Sequence, residues 1–265
     1  MNKTQHSKEI RSESKFIWQT IWFIITLPVL LILVFAKKRN VSELVKPIKQ
    51  FFLFIFEAKV TFYLILANLI VFIIEIILIT LNPDNINQFI FQPQHLWTFQ
   101  PIPIVASWFL HAGILHFLGN MLFLFIFGRV VEKEFGVRML YIYFAAAIFA
   151  DIFSAVMGFG GIGASGAIAG LIVTGILLKP FYITYVMGGI PLPLFLVGWL
   201  AILADITGVL IPKETMINHF AHLGGYLVIL LIVFFVSYEN KKKMVKGFWI
   251  NLIILILVLL FGFLV

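Results

Sequence analysis

Ser165 and His222 are the two side chains in this sequence best suited to covalent chemistry. A serine hydroxyl is a poor nucleophile until a neighbouring base takes its proton, and an imidazole is well suited to take it. His116 and Asn120 lie four residues apart, on one face of a helix. Both carry N–H donors of the kind that hold an oxyanion formed on an attacked carbonyl, and such donors contribute roughly 3 to 4 kcal/mol each. The four residues together describe nucleophilic attack on a carbonyl. Singly, each has an ordinary structural meaning: a serine in a membrane helix commonly bonds the carbonyl one turn back, and an intramembrane histidine commonly packs or bonds a neighbour. What favours chemistry is that all four fall at one depth.

That depth follows from the elements that carry them. The chain has 265 residues, 62% of them hydrophobic and 12% charged, with a mean hydropathy of +1.08. A soluble domain carries about a quarter charged residues, so this is an integral membrane protein. The absence of cysteine excludes disulfides, thiolate metal sites and cysteine nucleophiles. Runs long enough to span a bilayer at about 20 residues each cover Val60 to Leu81, Ala112 to Val131, Met139 to Met157, Ile162 to Leu178, Leu192 to Ile211 and Asn218 to Ser237. A seventh, Phe248 to Val265, ends the sequence. The expected fold is an all-α polytopic bundle: a six-helix core (60–237), a basic loop with a C-terminal helix (238–265), and a basic N-terminal tail with one apolar segment (1–59).

The net charge of +7 is a topology signal and calls for no nucleic-acid partner. With the Val60 end cytoplasmic, 14 of the 19 basic residues fall on that side, Lys213 alone on the other, and the remaining four in the N-terminal tail. The apolar stretch Phe16 to Ala36 is interrupted by Gln19, Thr20 and Pro28 and flanked by basic residues. It reads either as a further span or as an interfacial hairpin, and not as a cleaved signal, because no small-residue cleavage site precedes Lys37. In this orientation the second, fourth and sixth spans run inward from the outer face. His116 and Asn120, Ser165, and His222 then all sit within a turn or two of that face. Gly160, Gly161 and Gly163 lead into the fourth span, and Gly166 and Gly170 form a face that admits another helix closely. Gly224 and Gly225 offer a matching surface beside His222.

At these residues the sequence resembles the rhomboid intramembrane serine proteases. The resemblance rests on WFLHAGILHFLGNM (Trp108 to Met121), GASGAIAG (Gly163 to Gly170) and AHLGGY (Ala221 to Tyr226), in that order, and extends over about Val60 to Ser237. It implies Ser165 as nucleophile and His222 as general base, in a dyad without a carboxylate. It also implies an oxyanion hole of His116, Asn120 and the Ser165 backbone N–H. His111 matches a histidine that supports the loop between the first two spans, Trp97 and Thr98 the start of that loop's partly immersed hairpin, and Glu132 to Gly136 a cytoplasmic turn. Two positions depart from the pattern. Ala169 stands where relatives often have an aromatic residue against the catalytic imidazole, so something else must hold His222; Ile229 stands where many have glycine.

The implied activity is cofactor-free hydrolysis of transmembrane proteins in a water-filled cavity near the outer face, with the fifth span and the loop after Ile211 as gate. Two other readings stand beside it. One is a non-catalytic relative that binds client transmembrane helices. The other is a metal enzyme or transporter using His111, His116, His219 and His222, against which stand the missing HExxH and the lack of an adjoining acidic residue. Asp205 reads as a solitary bundle hydrogen-bonder, His219 as a solvated or loop-bonding residue, and Glu75 and Asp151 as groups reaching the interface. Lys241 to Lys243 suit anionic lipid headgroups. High isoleucine and phenylalanine content points to an AT-rich prokaryotic genome and a prokaryotic cell membrane.

Overall fold

The computed structural model describes residues 18–19, 22–23, 25–186, 190–211 and 217–264. The loop after Ile211 (212–216), parts of the 16–36 stretch and the last residue lie outside them. The chain forms two compact units, one of the described residues up to Lys59 with Ile183–Pro193, the other of Val60–Tyr182 with Leu194 onward.

The first unit contains helices α1 (Ile25–Phe35) and α2 (Ser42–Phe56) and an antiparallel pair, β1 (Ile183–Val186) and β2 (Ile190–Pro193), in register from Ile183 opposite Pro193 to Val186 opposite Ile190. The all-α expectation did not include this pair. Ile183, Thr184, Tyr185 and Val186 are β-branched or aromatic, and Gly188-Gly189 follow, a composition that favours a hairpin.

The second unit is helical: α3 (Lys59–Leu81), α4 (Pro93–Trp97), α5 (Pro101–Ser107), α6 (Ile114–Phe135), α7 (Met139–Val156), α8 (Ser165–Leu178), α9 (Leu194–Leu210), α10 (His219–Leu227), α11 (Ile229–Phe235) and α12 (Tyr238–Leu264). Among the described residues, α3 and the stretch Ile114–Val156 are long and apolar enough to cross a membrane, and α8, α9 and His219–Phe234 are shorter apolar helices. Each expected core span thus has a helix at its place. α3 turns Ile70, Ile73, Ile74 and Ile77 outward, an apolar surface suited to lipid, whereas α8 is buried on nearly every residue.

α10 lies against both α7 and α8, and its adjacent glycines divide the task. A Cβ on Gly224 would stand 2.6 Å from the Phe149 carbonyl of α7; one on Gly225 would stand 2.1 Å from the Gly166 carbonyl of α8. Gly166 and Gly170 in turn face Ala150 and Ala146 of α7, whose Cβ atoms would lie 2.5 and 2.4 Å away. The small-residue faces therefore join three helices, not two.

Two boundaries differ from the sequence reading. The segment expected as a basic loop after Ser237 forms the first turns of α12, because lysine, glutamate and asparagine continue a helix into water readily enough when no glycine or proline stops it. Glu132 to Glu134, expected in a turn, occupy the last turn of α6, and the chain reverses at Gly136 with φ +56. Glu132 reaches the start of α3, where its carboxylate accepts from the Val60 N–H (2.9 Å), the Thr61 N–H (2.8 Å) and the Thr61 hydroxyl (2.7 Å). Glu134 pairs with Lys179 and Lys243. Glu132→Ala strips α3 of this charged cap and is expected to destabilise the protein by about 2 kcal/mol. Thermal unfolding in detergent should show the loss, with Glu132→Gln intermediate.

Candidate active site

Ser165 is the first residue of α8, His116 lies in the first turn of α6, and His222 in the first turn of α10. All three line one cavity of about 40 Å³, together with Trp108, Asp151 and Asn218. A buried water needs roughly 10–15 Å³ of such space, so the cavity has room for a reacting water.

The two histidines are held in opposite tautomers. His116 Nδ1 lies 3.2 Å from the Ala112 backbone N–H and accepts from it, which leaves the ring proton on Nε2. Gly163, at φ +130, passes beneath this ring: a Cβ there would meet His116 Cε1 at 2.9 Å, Nε2 at 3.1 Å and Ser165 Oγ at 3.5 Å. Glycine at 163 is thus required twice, by its backbone angle and by the close approach, and its position is bordered by both His116 Nε2 and the serine hydroxyl. His222 is the reverse. Its Nδ1 lies 2.7 Å from Asp205 Oδ1; a carboxylate only accepts, so Nδ1 carries a proton, and in the neutral ring Nε2 is the acceptor.

His111 does not reach the cavity. It is 2% exposed, its Nδ1 bonds the Phe109 carbonyl at 3.0 Å, and its backbone N–H donates to Glu75 at 2.9 Å. Burial, reinforced by the neighbouring His116, pushes its imidazole down to about 4, so the ring is neutral and packs edge-on to His116 at 5.3 Å. Asn120 is buried a turn further along α6; its Nδ2 has no protein partner among the described residues, and it is absent from the cavity wall.

Several expectations about the acidic groups are corrected. Asp205 is not solitary: Oδ1 also accepts from His219 Nδ1 at 2.9 Å, and Oδ2 from the Tyr226 hydroxyl at 2.7 Å. His219 is therefore not a solvated loop residue, and His222 does have a carboxylate neighbour. Sequence reading missed the cluster because Asp205 and His222 are 17 residues apart on different helices. A signal was present in Gly208, one turn after Asp205, where a Cβ would lie 2.2 Å from the His219 ring. Glu75 and Asp151 do not reach out to the interface: both are buried, Glu75 bound to the His111 backbone and Asp151 to the Trp108 indole N–H at 2.7 Å. Both tie down the loop before α6. Asn218, also missed, caps α10 through the Ala221 N–H and donates to Ser154 and the Gly160 carbonyl.

The four histidines expected of a metal centre fall into two pairs. The ligand atoms of Asp205, His219 and His222 lie within 4.8 Å of one another and could hold a cation, although both Nδ1 to Oδ1 distances are those of hydrogen bonds satisfied by protons. Ala169 has no space for an aromatic ring: it is 1% exposed, and its Cβ faces Gly225. The ring-bearing residue is instead Tyr226, which acts on the carboxylate behind His222.

The sequence matches the family model of the Rhomboid domain over residues 94–239, more than half of the chain. It is 30% identical over 146 residues to RHOMBOID-like protein 12, mitochondrial, of Arabidopsis thaliana, covering 47% of this chain and 43% of that protein. To RHOMBOID-like protein 1 of the same plant it is 30% identical over 148 residues, covering 52% and 37%. The chain spans less than half the length of either relative. Because the matched stretch takes in each of the helices that line the cavity, the chain belongs to the rhomboid family of integral membrane proteins.

Proposed function

We propose that this chain is a multi-pass intramembrane serine endopeptidase that cleaves transmembrane segments of other proteins near the outer face of a prokaryotic cell membrane. The observation that carries the reading is that Ser165, His116 and His222 line one cavity, with each Nδ1 engaged so that a donor nitrogen on His116 and an acceptor nitrogen on His222 are the ones left over. Ser165 Oγ attacks the scissile carbonyl as its proton passes to His222 Nε2. The charge gathering on the carbonyl oxygen is met by the His116 Nε2–H and the Ser165 backbone N–H, which has no partner within its own helix because it opens it. Asn120, one turn along α6 and outside the cavity wall, is the remaining donor of the set, and its Nδ2 has no protein partner among the described residues. The imidazolium then protonates the departing amine, and water activated by the same imidazole releases the acyl group.

The surroundings suit a membrane substrate. Trp97, Phe99, Ile102, Leu115 and Leu118, from the end of α4 to the first turns of α6, expose large apolar side chains, a surface at home in the bilayer's upper layer. Incubation of the protein in liposomes with a transmembrane reporter is the direct test. Cleavage by the wild type and none by Ser165→Ala is expected; uncleaved substrate with both, across several reporters, favours a client-binding protein.

A further inference from the structure

We infer that Asp205 is a positioning residue for His222, converting the serine–histidine pair into a carboxylate-backed triad; the inference rests on Ser165 and His222 being nucleophile and base. An imidazole can take the serine proton at Nε2 only while its own proton sits on Nδ1, and in isolation the two tautomers exchange freely. Asp205 Oδ1, 2.7 Å from Nδ1, removes that freedom and also stabilises the imidazolium that forms during attack.

The carboxylate is itself fixed. It is 6% exposed, and a carboxylate placed in a helix bundle is costly unless its lone pairs are filled. Three donors fill them: His222 and His219 on Oδ1, and the Tyr226 hydroxyl on Oδ2 at 2.7 Å. Tyr226 stands four residues after His222 on α10, so the helix that carries the base also carries the clamp on its carboxylate. Gly208, by lacking a Cβ, lets α9 come near enough for His219 to join. A mere packing contact between α9 and α10 would need none of these polar groups. The arrangement also supplies the support for His222 that Ala169 cannot give.

The test is single-turnover and steady-state cleavage of a transmembrane reporter by the full chain in liposomes, with folding followed by thermal unfolding in detergent. Asp205→Asn keeps the shape but offers an N–H to Nδ1, favouring the wrong tautomer. It is expected to lower kcat by roughly 10³- to 10⁴-fold with KM within a few-fold of wild type. In a His222→Ala background the same substitution should cost nothing further, since Asp205 acts only through that ring. Tyr226→Phe, which frees Oδ2 alone, should lower kcat about tenfold, and it carries the test if Asp205→Asn fails to fold. Unchanged kcat in either folded variant, or an equal loss with and without His222, overturns the positioning role while a silent Ser165→Ala leaves the protease reading standing. Cleavage by Ser165→Ala at the wild-type rate overturns both.

Discussion

Cleavage by His222→Ala is expected to fall by about 10⁴- to 10⁶-fold, because the nucleophile and its base act as a unit and losing either forfeits nearly all that the pair supplies. The residue of activity would come from His116 and the Ser165 backbone N–H, which remain to stabilise charge. Folding should be little affected. The His222 side chain is partly exposed at the cavity wall, and Asp205 keeps His219 and Tyr226 as donors when it is removed. A single-turnover cleavage assay and a melting curve on the same preparation separate the two effects, with a large rate loss at nearly constant Tm as the expected pattern.

Gly225→Ala is expected to damage both the packing of the bundle and the rate. Its Cβ would stand 2.1 Å from the Gly166 carbonyl and 2.9 Å from the Ala169 Cβ, and neither backbone carbonyl nor Cβ can rotate away. The helices must part, at a cost of about 3 kcal/mol. Because Gly166 follows Ser165, the same displacement moves the nucleophile relative to His222, and a 1 Å error at such a site costs about 10²-fold in rate. Gly119→Ala in α6 is the matched control, since nothing lies within 4 Å of its would-be Cβ. It should melt at or above the wild-type temperature with unchanged cleavage. Comparable losses in the two variants would contradict the packing account.

Which parts of this were legible in the sequence follows from how each signal is encoded. Ser165, His116 and His222 stood out because an apolar chain of 12% charged residues has few polar side chains at membrane depth, and depth can be counted along each helix. The glycine faces were legible as close-packing surfaces, but their partners were not. Gly166 and Gly170 meet alanines of α7, and only Gly225 closes on α8, because the direction of a helix face depends on where its neighbours lie. Asp205 was the largest omission. Apart from Gly208, nothing in its own span distinguishes a carboxylate bonded to a histidine of the next helix from one bonded to its own turn. Once α9 and α10 are placed together, the departure at Ala169 is matched by support reaching His222 from Asp205 of α9. α9 is then also pinned to α10 at Asp205, so a substrate entering beside α9 has to leave that contact in place.

Labelling with a fluorophosphonate serine probe tests the central claim most directly, since it reports an activated nucleophile without requiring that the substrate be known. The account predicts a covalent adduct that peptide mass spectrometry places on Ser165 of the wild-type protein in liposomes, no adduct in Ser165→Ala, and labelling at least about 100-fold slower in His222→Ala. Absence of label from the folded wild type under conditions that label other serine hydrolases, or labelling of His222→Ala at the wild-type rate, would contradict it.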